Sequence, residues 1–243
     1  MKTSDLHTHT IISGHAYSTL LENIDYCAKN NIEILGTSDH APSMPHAPHK
    51  WYFGNLRVLP RYINGVMVLK GCEANILNEF GEIDITDNEI SKLDYMIASL
   101  HEAVVSPTAM NKEQATNAII NAITRNKKIE ILGHLGNPNY QLDYRKIIEE
   151  AKRKDIMVEI NNSSLSGTSR PGSDKNCEIV AKLCKEIGTK VILTSDAHFC
   201  FSIGEFTKGK ELLKTVEMPE SLVMNEPSKL IKHLKNKGAL ADV

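Results

Sequence analysis

The sequence predicts an α/β fold in a single domain over residues 1–243, with a parallel sheet that closes into a barrel. Seven short runs are typical of strands, and a segment of helical spacing follows most of them. The length of 243 residues suits one barrel of this kind. Six of the seven runs end in a histidine or a carboxylate, although the chain has only ten histidines. Such barrels gather their chemistry at the carboxyl ends of the strands, so these residues predict a site there.

Each predicted strand is a short run, and most are rich in isoleucine, leucine and valine. The seven runs are KTSDLHTH (2–9), IEILGTSDH (32–40), VMVLKGCEANI (66–76), KLDYMIASLHE (92–102), KIEILGHLGNP (128–138), IMVEINNSS (156–164) and KVILTSDAHF (190–199). Residues 41–65 interrupt the alternation, and their four prolines predict a long loop rather than a linker between domains.

Helical spacing of apolar residues separates the predicted strands. It is seen in residues 17–31, before the second strand, and in 112–126, before the fifth. Asp143 is predicted to cap the helix behind the fifth strand, and the helix over 173–187 is expected to end at Gly188. Two further helices are predicted to complete the chain.

Composition and charge disfavour several classes of protein. A net charge of −2 and a pI near 6.6 argue against a protein that binds nucleic acid through a basic surface. The five cysteines form no C-x-x-C pair and imply no disulfide framework, which predicts a reducing compartment. The sequence opens without an apolar signal region and has no run of membrane-spanning length. We therefore expect a cytoplasmic protein without a membrane partner.

The first predicted strand raises the question of a metal site. Residues two apart on a strand share a face, so Asp5, His7 and His9 are expected to point to one spot. Burying three polar groups together is costly unless a partner meets them. A metal ion is the candidate partner, and the other strand ends have to supply its remaining ligands.

Nine residues are candidate metal ligands at the strand ends or in the first loop. They are His7, His9, His15, His40, Glu73, His101, His134, Asp196 and His198. A catalytic zinc takes about three protein ligands, so nine suit two or three ions with a bridging carboxylate. Imidazole with carboxylate suits zinc, manganese or iron. A single histidine is more often structural, and we interpret His46, His49 and His233 in that way, the last on a basic surface helix.

The motifs that carry these residues resemble the polymerase and histidinol phosphatase (PHP) superfamily. The resemblance is strongest to its YcdX-like branch of trinuclear zinc phosphatases. It covers nearly the whole chain, in order, through DLHTHT, HAYSTL, TSDHAP, GCEANI, GEID, HLGNP, EINNSS and TSDAH. The resemblance implies a distorted seven-stranded (βα)7 TIM-like barrel with three divalent metal ions, zinc in the first place and manganese(II) or iron(II) as alternatives.

When the family's ligands are transferred residue by residue to this sequence, the resemblance implies three metal sites. The first would use His7, His9, Glu73 and Asp196. The second would use Glu73 as a bridge together with His101 and His134. The third would use His15, His40 and His198. Every ligand position of the family pattern is matched in this sequence.

This ligand set predicts a metal-dependent phosphoesterase that hydrolyses a small phosphomonoester with metal-activated hydroxide. Clustered divalent ions lower the pKa of bound water and neutralise the charge of a transferring phosphoryl group, so no side-chain nucleophile is required. Arg170 is a candidate phosphate ligand, although a surface arginine before a proline turn is an equal alternative. Arg57 and Lys50, in the long loop, are weaker candidates.

Other functions stay open on the sequence alone. Within the superfamily, histidinol phosphate or nucleotides are alternative substrates, and nucleic acid is expected only as a nucleotide or a short oligonucleotide. A metal-dependent amidohydrolase also begins with H-x-H, but its barrel usually needs a longer chain and ends in a lone aspartate rather than D-x-H. A metal-storage or scaffold protein would bind ions without turning over any ester. The oligomeric state is not predicted.

Overall fold

Parallel strands form the framework of the structure, a computed structural model that describes residues 3–167 and 170–240. Within these ranges the chain forms nine strands and nine α-helices. The strands are β1 (Thr3–Thr8), β2 (Ile32–Thr37), β3 (Tyr62–Ile63), β4 (Val66–Lys70), β5 (Glu73–Asn75), β6 (Met96–Ser99), β7 (Ile129–Leu132), β8 (Met157–Asn161) and β9 (Val191–Thr194). The helices are α1 (Leu20–Lys29), α2 (Trp51–Asn55), α3 (Asp87–Ile90), α4 (Lys112–Arg125), α5 (Tyr144–Arg153), α6 (Asn162–Leu165), α7 (Ser173–Ile187), α8 (Thr207–Thr215) and α9 (Pro227–Asn236).

The strands are arranged in two sheets. The first has the order β1-β2-β4-β3, in which only β3 runs antiparallel to its neighbour. The second has the order β5-β6-β7-β8-β9 and is parallel throughout. Isolated parallel bridges join the sheets, from Thr8 to Ala197 and from His40 to Glu73. Because these bridges are parallel, the carboxyl ends of the strands open on the same side of the molecule.

The α/β class and the parallel strands are as predicted, but the strand count and the closure differ from a seven-stranded barrel. The predicted third strand, 66–76, is divided into β4 and β5, and β3 lies in a segment that was expected to be loop. Within the described ranges the two sheets remain separate ladders, joined only by isolated bridges.

A tyrosine ring packs against the backbone at the point where the third predicted strand divides. A Cβ on Gly71 would lie 2.4 Å from Cζ of Tyr95. The Tyr95 hydroxyl crosses the interior and donates a hydrogen bond to the Leu6 carbonyl at 2.5 Å. Residue 71 therefore has to lack a side chain, and so does Gly36 of β2, where a Cβ would lie 2.1 Å from the Tyr95 hydroxyl. This tertiary contact accounts for the two glycines, and the local runs of apolar residues do not reveal it.

The space between the two sheets is filled by apolar side chains. The strands contribute Leu6, Ile34, Met67, Leu69, Ile97, Ile131, Met157 and Ile192, all buried. Leu230 and Leu234 of α9 belong to the same cluster. The C-terminal helix thus packs against the interior of the strand assembly, where the burial of its apolar face stabilises it.

His233 is buried, which corrects the expectation that it lies on a basic surface helix. Its exposed fraction is 3%, and its Nε2 lies 3.3 Å from Oε2 of Glu130. The helical period explains the difference, because residue 233 shares the inner face of α9 with Leu230 and Leu234. The exposed face carries Lys232 instead.

Several predicted helix boundaries agree with the structure. Helix α7 has the predicted bounds and ends at Gly188, whose φ is +77°. The Asp143 side chain accepts a hydrogen bond from Lys146 N and caps α5. Residues 41–65 are not only loop, since they contain α2 and β3. Among the described helices, none combines the length and the apolar character that crossing a bilayer requires.

Candidate metal centre

The strand-end histidines and acids converge at the side where the strands open. Three groups have ligand atoms within 4.8 Å of one another. They are His7 with His9 and Asp196, His40 with Glu73 and His101, and His9 with His40 and His198. Seven of the nine predicted ligands belong to these groups, and an eighth, His134, contacts Glu73. The ninth, His15, stacks on the ring of His40 at the edge of the third group.

His7 of β1 and His9, which follows the end of the strand, belong to the cluster, whereas Asp5 of β1 does not. The register of β1 against β2 shifts between Asp5 and Thr8, so the simple two-residue alternation ends there. The Asp5 carboxylate instead accepts hydrogen bonds from Ser195 and from Gly204 N. Burial raises its pKa to about 6, although these hydrogen bonds lower it. The expectation that Asp5 shares one spot with the histidines is therefore wrong.

Glu73, the first residue of β5, lies at the centre of the cluster. Its Oε1 is 3.0 Å from His134 Nε2 and 3.2 Å from His101 Nε2. Its Oε2 is 2.8 Å from His40 Nδ1 and 3.2 Å from His7 Nε2. Ser99 donates a hydrogen bond to Oε1 at 2.7 Å. One carboxylate thus faces imidazoles from four separate parts of the chain, which is the arrangement a bridging ligand requires.

Several of these buried atoms are close together without forming a hydrogen bond. Among the described residues, His7 Nε2, His40 Nδ1, Glu73 Oε2 and His101 Nε2 have no hydrogen-bond partner. Buried polar atoms are normally satisfied, and leaving four of them together without a partner is costly. All four are metal-ligating atoms directed to the same space, so the residues present fit divalent cations.

The mouth of the cluster is formed by imidazole rings that pack against one another. The His9 ring centroid lies 4.4 Å from that of His40 and 4.3 Å from that of His198. His15, exposed in the first loop, lies 4.7 Å from His198. His15 and His198 each donate an Nδ1–H bond to a main-chain carbonyl, those of Ser13 and Asp196, which leaves Nε2 available as a ligand.

The electrostatics of the cluster differ between its histidines. Burial would lower the pKa of His7, but the carboxylates around it, Glu73 first, raise it well above its usual value. Burial, followed by the facing His40, lowers the pKa of His9 well below its usual value. Burial and then Arg170 lower the pKa of His134 to about 4. Burial alone would raise the pKa of Glu73, but the imidazoles around it, His7 first, hold it well below its usual range. Neutral histidine with ionised carboxylate is the state in which these side chains bind metal.

Two candidate ligands lie on unusual backbone. His134 has a φ of 28° and Asp196 a φ of 54°, in the region that residues other than glycine rarely occupy. Side-chain contacts hold both in place: His134 N donates to the Glu159 carboxylate, and Asp196 Oδ2 accepts from Asn161 at 3.1 Å. Strain of this kind is concentrated at functional sites.

Arg170 reaches the cluster, whereas Arg57 and Lys50 do not reach it among the described contacts. Arg170 Nη1 donates to Asp196 Oδ2 at 3.1 Å and to Ser164 Oγ at 3.2 Å. Arg57 is exposed and lines a surface cavity with Trp51 that includes none of the candidate ligands. The charge of Lys50 acts on Glu89 beside that cavity. Of the three predicted phosphate ligands, only Arg170 contacts a candidate metal ligand within the described residues.

Two carboxylates at the site were not singled out from the sequence. Glu159 is buried in β8 and contacts His7 Nδ1 at 2.5 Å. Asp39 accepts hydrogen bonds from Thr10 and Ser13 and thereby holds the loop that leads to His15. Glu159 lies inside an apolar run rather than at its end, and Asp39 was overlooked beside His40. The available signal for Glu159 was a single acid inside the apolar run IMVEI.

Comparison with known proteins agrees with this geometry. The PHP domain family matches residues 5–163, and the chain belongs to this family. A protein of Clostridium acetobutylicum named as a probable phosphatase is 52% identical over 237 residues, which are 97% of this chain and 96% of that protein. A second, from Clostridium novyi, is 48% identical over 240 residues, 98% and 97% of the two chains.

A solved structure shares the fold at low sequence identity. Histidinol phosphate phosphatase from Lactococcus lactis has a TM-score of 0.59 and 15% identity, covering 90% of this chain and 95% of its own. That protein was crystallised with zinc, L-histidinol and phosphate. The predicted family is therefore confirmed by sequence, and the predicted α/β architecture by structure.

Proposed function

We propose that the protein is a metal-dependent phosphatase that hydrolyses a small phosphomonoester at the cluster around Glu73. The observation that carries this proposal is the set of four buried ligand atoms without a hydrogen-bond partner, directed to one space. The names of the curated relatives, probable phosphatases over nearly the full chain, support the same enzyme class.

The cluster has enough donors for three divalent ions, with zinc as the favoured metal. His7, His9 and Asp196 form one group, and Glu73 links it to a second that contains His101 and His134. The third is built from His15, His40 and His198. Zinc bound to the related-fold phosphatase of Lactococcus lactis supports the choice of metal. Bound divalent ions would supply Lewis acidity to water and to phosphoryl oxygens.

The side chains around the ions orient the substrate and balance its charge. Arg170 lies beside Asp196 at the edge of the cluster, where its guanidinium can also face a phosphoryl group. The adjacent thiol of Cys72 does not act as a nucleophile, because burial raises its pKa well above its ordinary value. The reaction therefore uses water rather than a covalent cysteine intermediate.

A cavity beside the cluster has room for the leaving group of the substrate. It has a volume of about 520 Å³ and is bordered by Asp196 and His198 on the side of the candidate metals. Tyr17 and Phe199 line it, with exposed fractions of 78% and 44%. Exposed aromatic rings next to a catalytic centre suit a planar leaving group. Glu205 also lines the cavity, which disfavours a second anionic group there.

The finer architecture follows from the same proposal. We propose that the two sheets act together as one distorted barrel and that residues 1–243 form one phosphatase domain. The isolated bridges between the sheets support this, because they bring His7 and Asp196 from opposite ends of the chain to one site.

Metal analysis and substrate hydrolysis together test the proposed function. Purified protein is expected to contain zinc at two to three equivalents by plasma mass spectrometry and to hydrolyse aryl and alkyl phosphomonoesters. Chelation should abolish hydrolysis, and added zinc or manganese should restore it. Hydrolysis of amides without hydrolysis of phosphate esters would favour an amidohydrolase, and bound metal without any turnover would favour a storage protein.

A further inference from the structure

Glu159 occupies a buried position at which four donors meet one carboxylate. Its Oε1 accepts from His7 Nδ1 at 2.5 Å and from Thr194 Oγ1 at 2.6 Å. Its Oε2 accepts from the His134 main-chain N–H and from Asn161 Nδ2 at 3.2 Å. The side chain is 0% exposed. Because both oxygens are already used by protein donors, Glu159 is poorly placed to be a metal ligand itself.

The four donors connect Glu159 to three candidate ligands from different strands. His7 lies near the end of β1, and His134 follows β7 on its unusual backbone. Asn161 also donates to Asp196 Oδ2 at 3.1 Å, so it links the two carboxylates. One buried side chain therefore contacts two candidate ligands directly and a third through a single amide.

The contact with His7 also determines which ring nitrogen faces the cluster. When Nδ1 carries the proton and donates to Glu159, Nε2 keeps its lone pair. That Nε2 lies 3.2 Å from Glu73 Oε2 and 3.5 Å from Asp196 Oδ1 and has no hydrogen-bond partner within the described residues. A carboxylate on the far nitrogen of a histidine is the arrangement that orients metal-binding imidazoles and raises their basicity.

We propose that Glu159 is a positioning residue for the metal cluster: its carboxylate fixes the Nδ1–H tautomer of His7 and the backbone of His134. This inference rests on the proposed metal-dependent function. It adds a residue that contacts neither substrate nor metal and acts only through His7, His134 and Asn161.

Glutamine at position 159 tests the requirement for two acceptor oxygens. Its carbonyl can accept from His7 or from His134 N, but its NH₂ then faces the other donor. E159Q is expected to bind zinc on the order of 10- to 100-fold more weakly than the wild type, measured by competition with a chromophoric chelator. Glu130→Gln is the matched control, because Glu130 is also a buried acid beside a histidine, His233, away from the cluster. E130Q should keep wild-type zinc affinity.

A second measurement uses the wild-type protein, so it does not depend on whether a variant folds. In the zinc-loaded wild type, long-range ¹H–¹⁵N spectra of the histidine rings should show His7 protonated at Nδ1, with a slowly exchanging proton. Protonation at Nε2, or unchanged zinc affinity in E159Q, would overturn the role of Glu159. A different result would contradict the proposed function itself: a wild-type protein that binds no zinc and hydrolyses no phosphomonoester. The ring spectrum of the protein as purified would then still decide which nitrogen faces Glu159.

Discussion

At the scale of single residues, Glu73 has the largest expected effect. Its two oxygens face different histidines, His101 and His134 on one side and His7 and His40 on the other. A bridging carboxylate serves two ions, so its removal should disturb both. Glu73→Ala is expected to lose more than one metal equivalent and to lower kcat by more than about 100-fold. Plasma mass spectrometry and steady-state kinetics measure the two effects.

A defined result would contradict the bridging role of Glu73. Full metal content together with a wild-type rate in Glu73→Ala would show that the carboxylate bridges nothing. Circular dichroism separates this from unfolding, because a folded variant that has lost metal keeps its helical signal.

Arg170 tests whether the site binds phosphate through a guanidinium. Arg170→Ala should lower kcat/KM for a phosphomonoester by about 10- to 100-fold, as expected for the loss of a charge-assisted hydrogen bond. The effect should be mainly on KM, and it should be accompanied by weaker inhibition by inorganic phosphate. Arg57→Ala is the control, because Arg57 lies at a separate surface cavity. Equal losses in both variants would exclude a specific role for Arg170.

At the scale of elements, the segments after β1 and β9 form the entrance to the site. Tyr17 N donates to the His198 carbonyl at 2.8 Å, so the two segments are joined. Tyr17→Ala and Phe199→Ala should each lower kcat/KM for phenyl phosphate about 2- to 10-fold, the loss expected for one aromatic contact. Hydrolysis of glycerol phosphate should change little. If both substrates are affected equally, the rings do not select the leaving group.

The elements also show what could be predicted from the sequence. Each of the seven predicted strands contains an observed one, and α7 has the predicted bounds, because apolar periodicity and an end glycine are local signals. The need for glycine at position 71 could not be predicted, since it depends on the ring of Tyr95. The burial of His233 depends on which face of α9 meets the core, and the charges of the helix obscured that face.

At the scale of the whole molecule, the candidate site was predictable because parallel topology brings strand ends together. Predicted ligands as distant in sequence as His7 and Asp196 lie within 3.5 Å of each other. The sequence predicted that these ligands meet, but not which of them contact each other. It also did not predict that Lys50 and Arg57 lie away from the cluster, because their positions depend on the fold of residues 41–65. Glu159 was missed because it lies inside its apolar run, whereas the predicted ligands were sought at the ends of such runs. The assignment of each residue to a particular ion remains a prediction.

The metal cluster should also contribute to the stability of the entire fold. Three buried carboxylates, Glu73, Glu159 and Asp196, surround His7, and burial penalises their charges. The ligands come from both sheets, so ions that bind them stabilise the native state against the unfolded chain. At free zinc of 100 times Kd the gain is about 2.7 kcal/mol, which corresponds to roughly 5–10 °C in Tm for a chain of this size. Calorimetry with zinc and with chelator measures it.

Variants separate this stabilisation from nonspecific effects of the chelator. In Glu73→Ala the difference in Tm between the zinc-loaded and chelated samples should shrink, because fewer ions are bound. In E130Q the difference should persist, since Glu130 contacts His233 rather than the cluster. An identical Tm with and without zinc in the wild type would mean that the converging histidines and acids are satisfied without metal, and the site would then need another explanation.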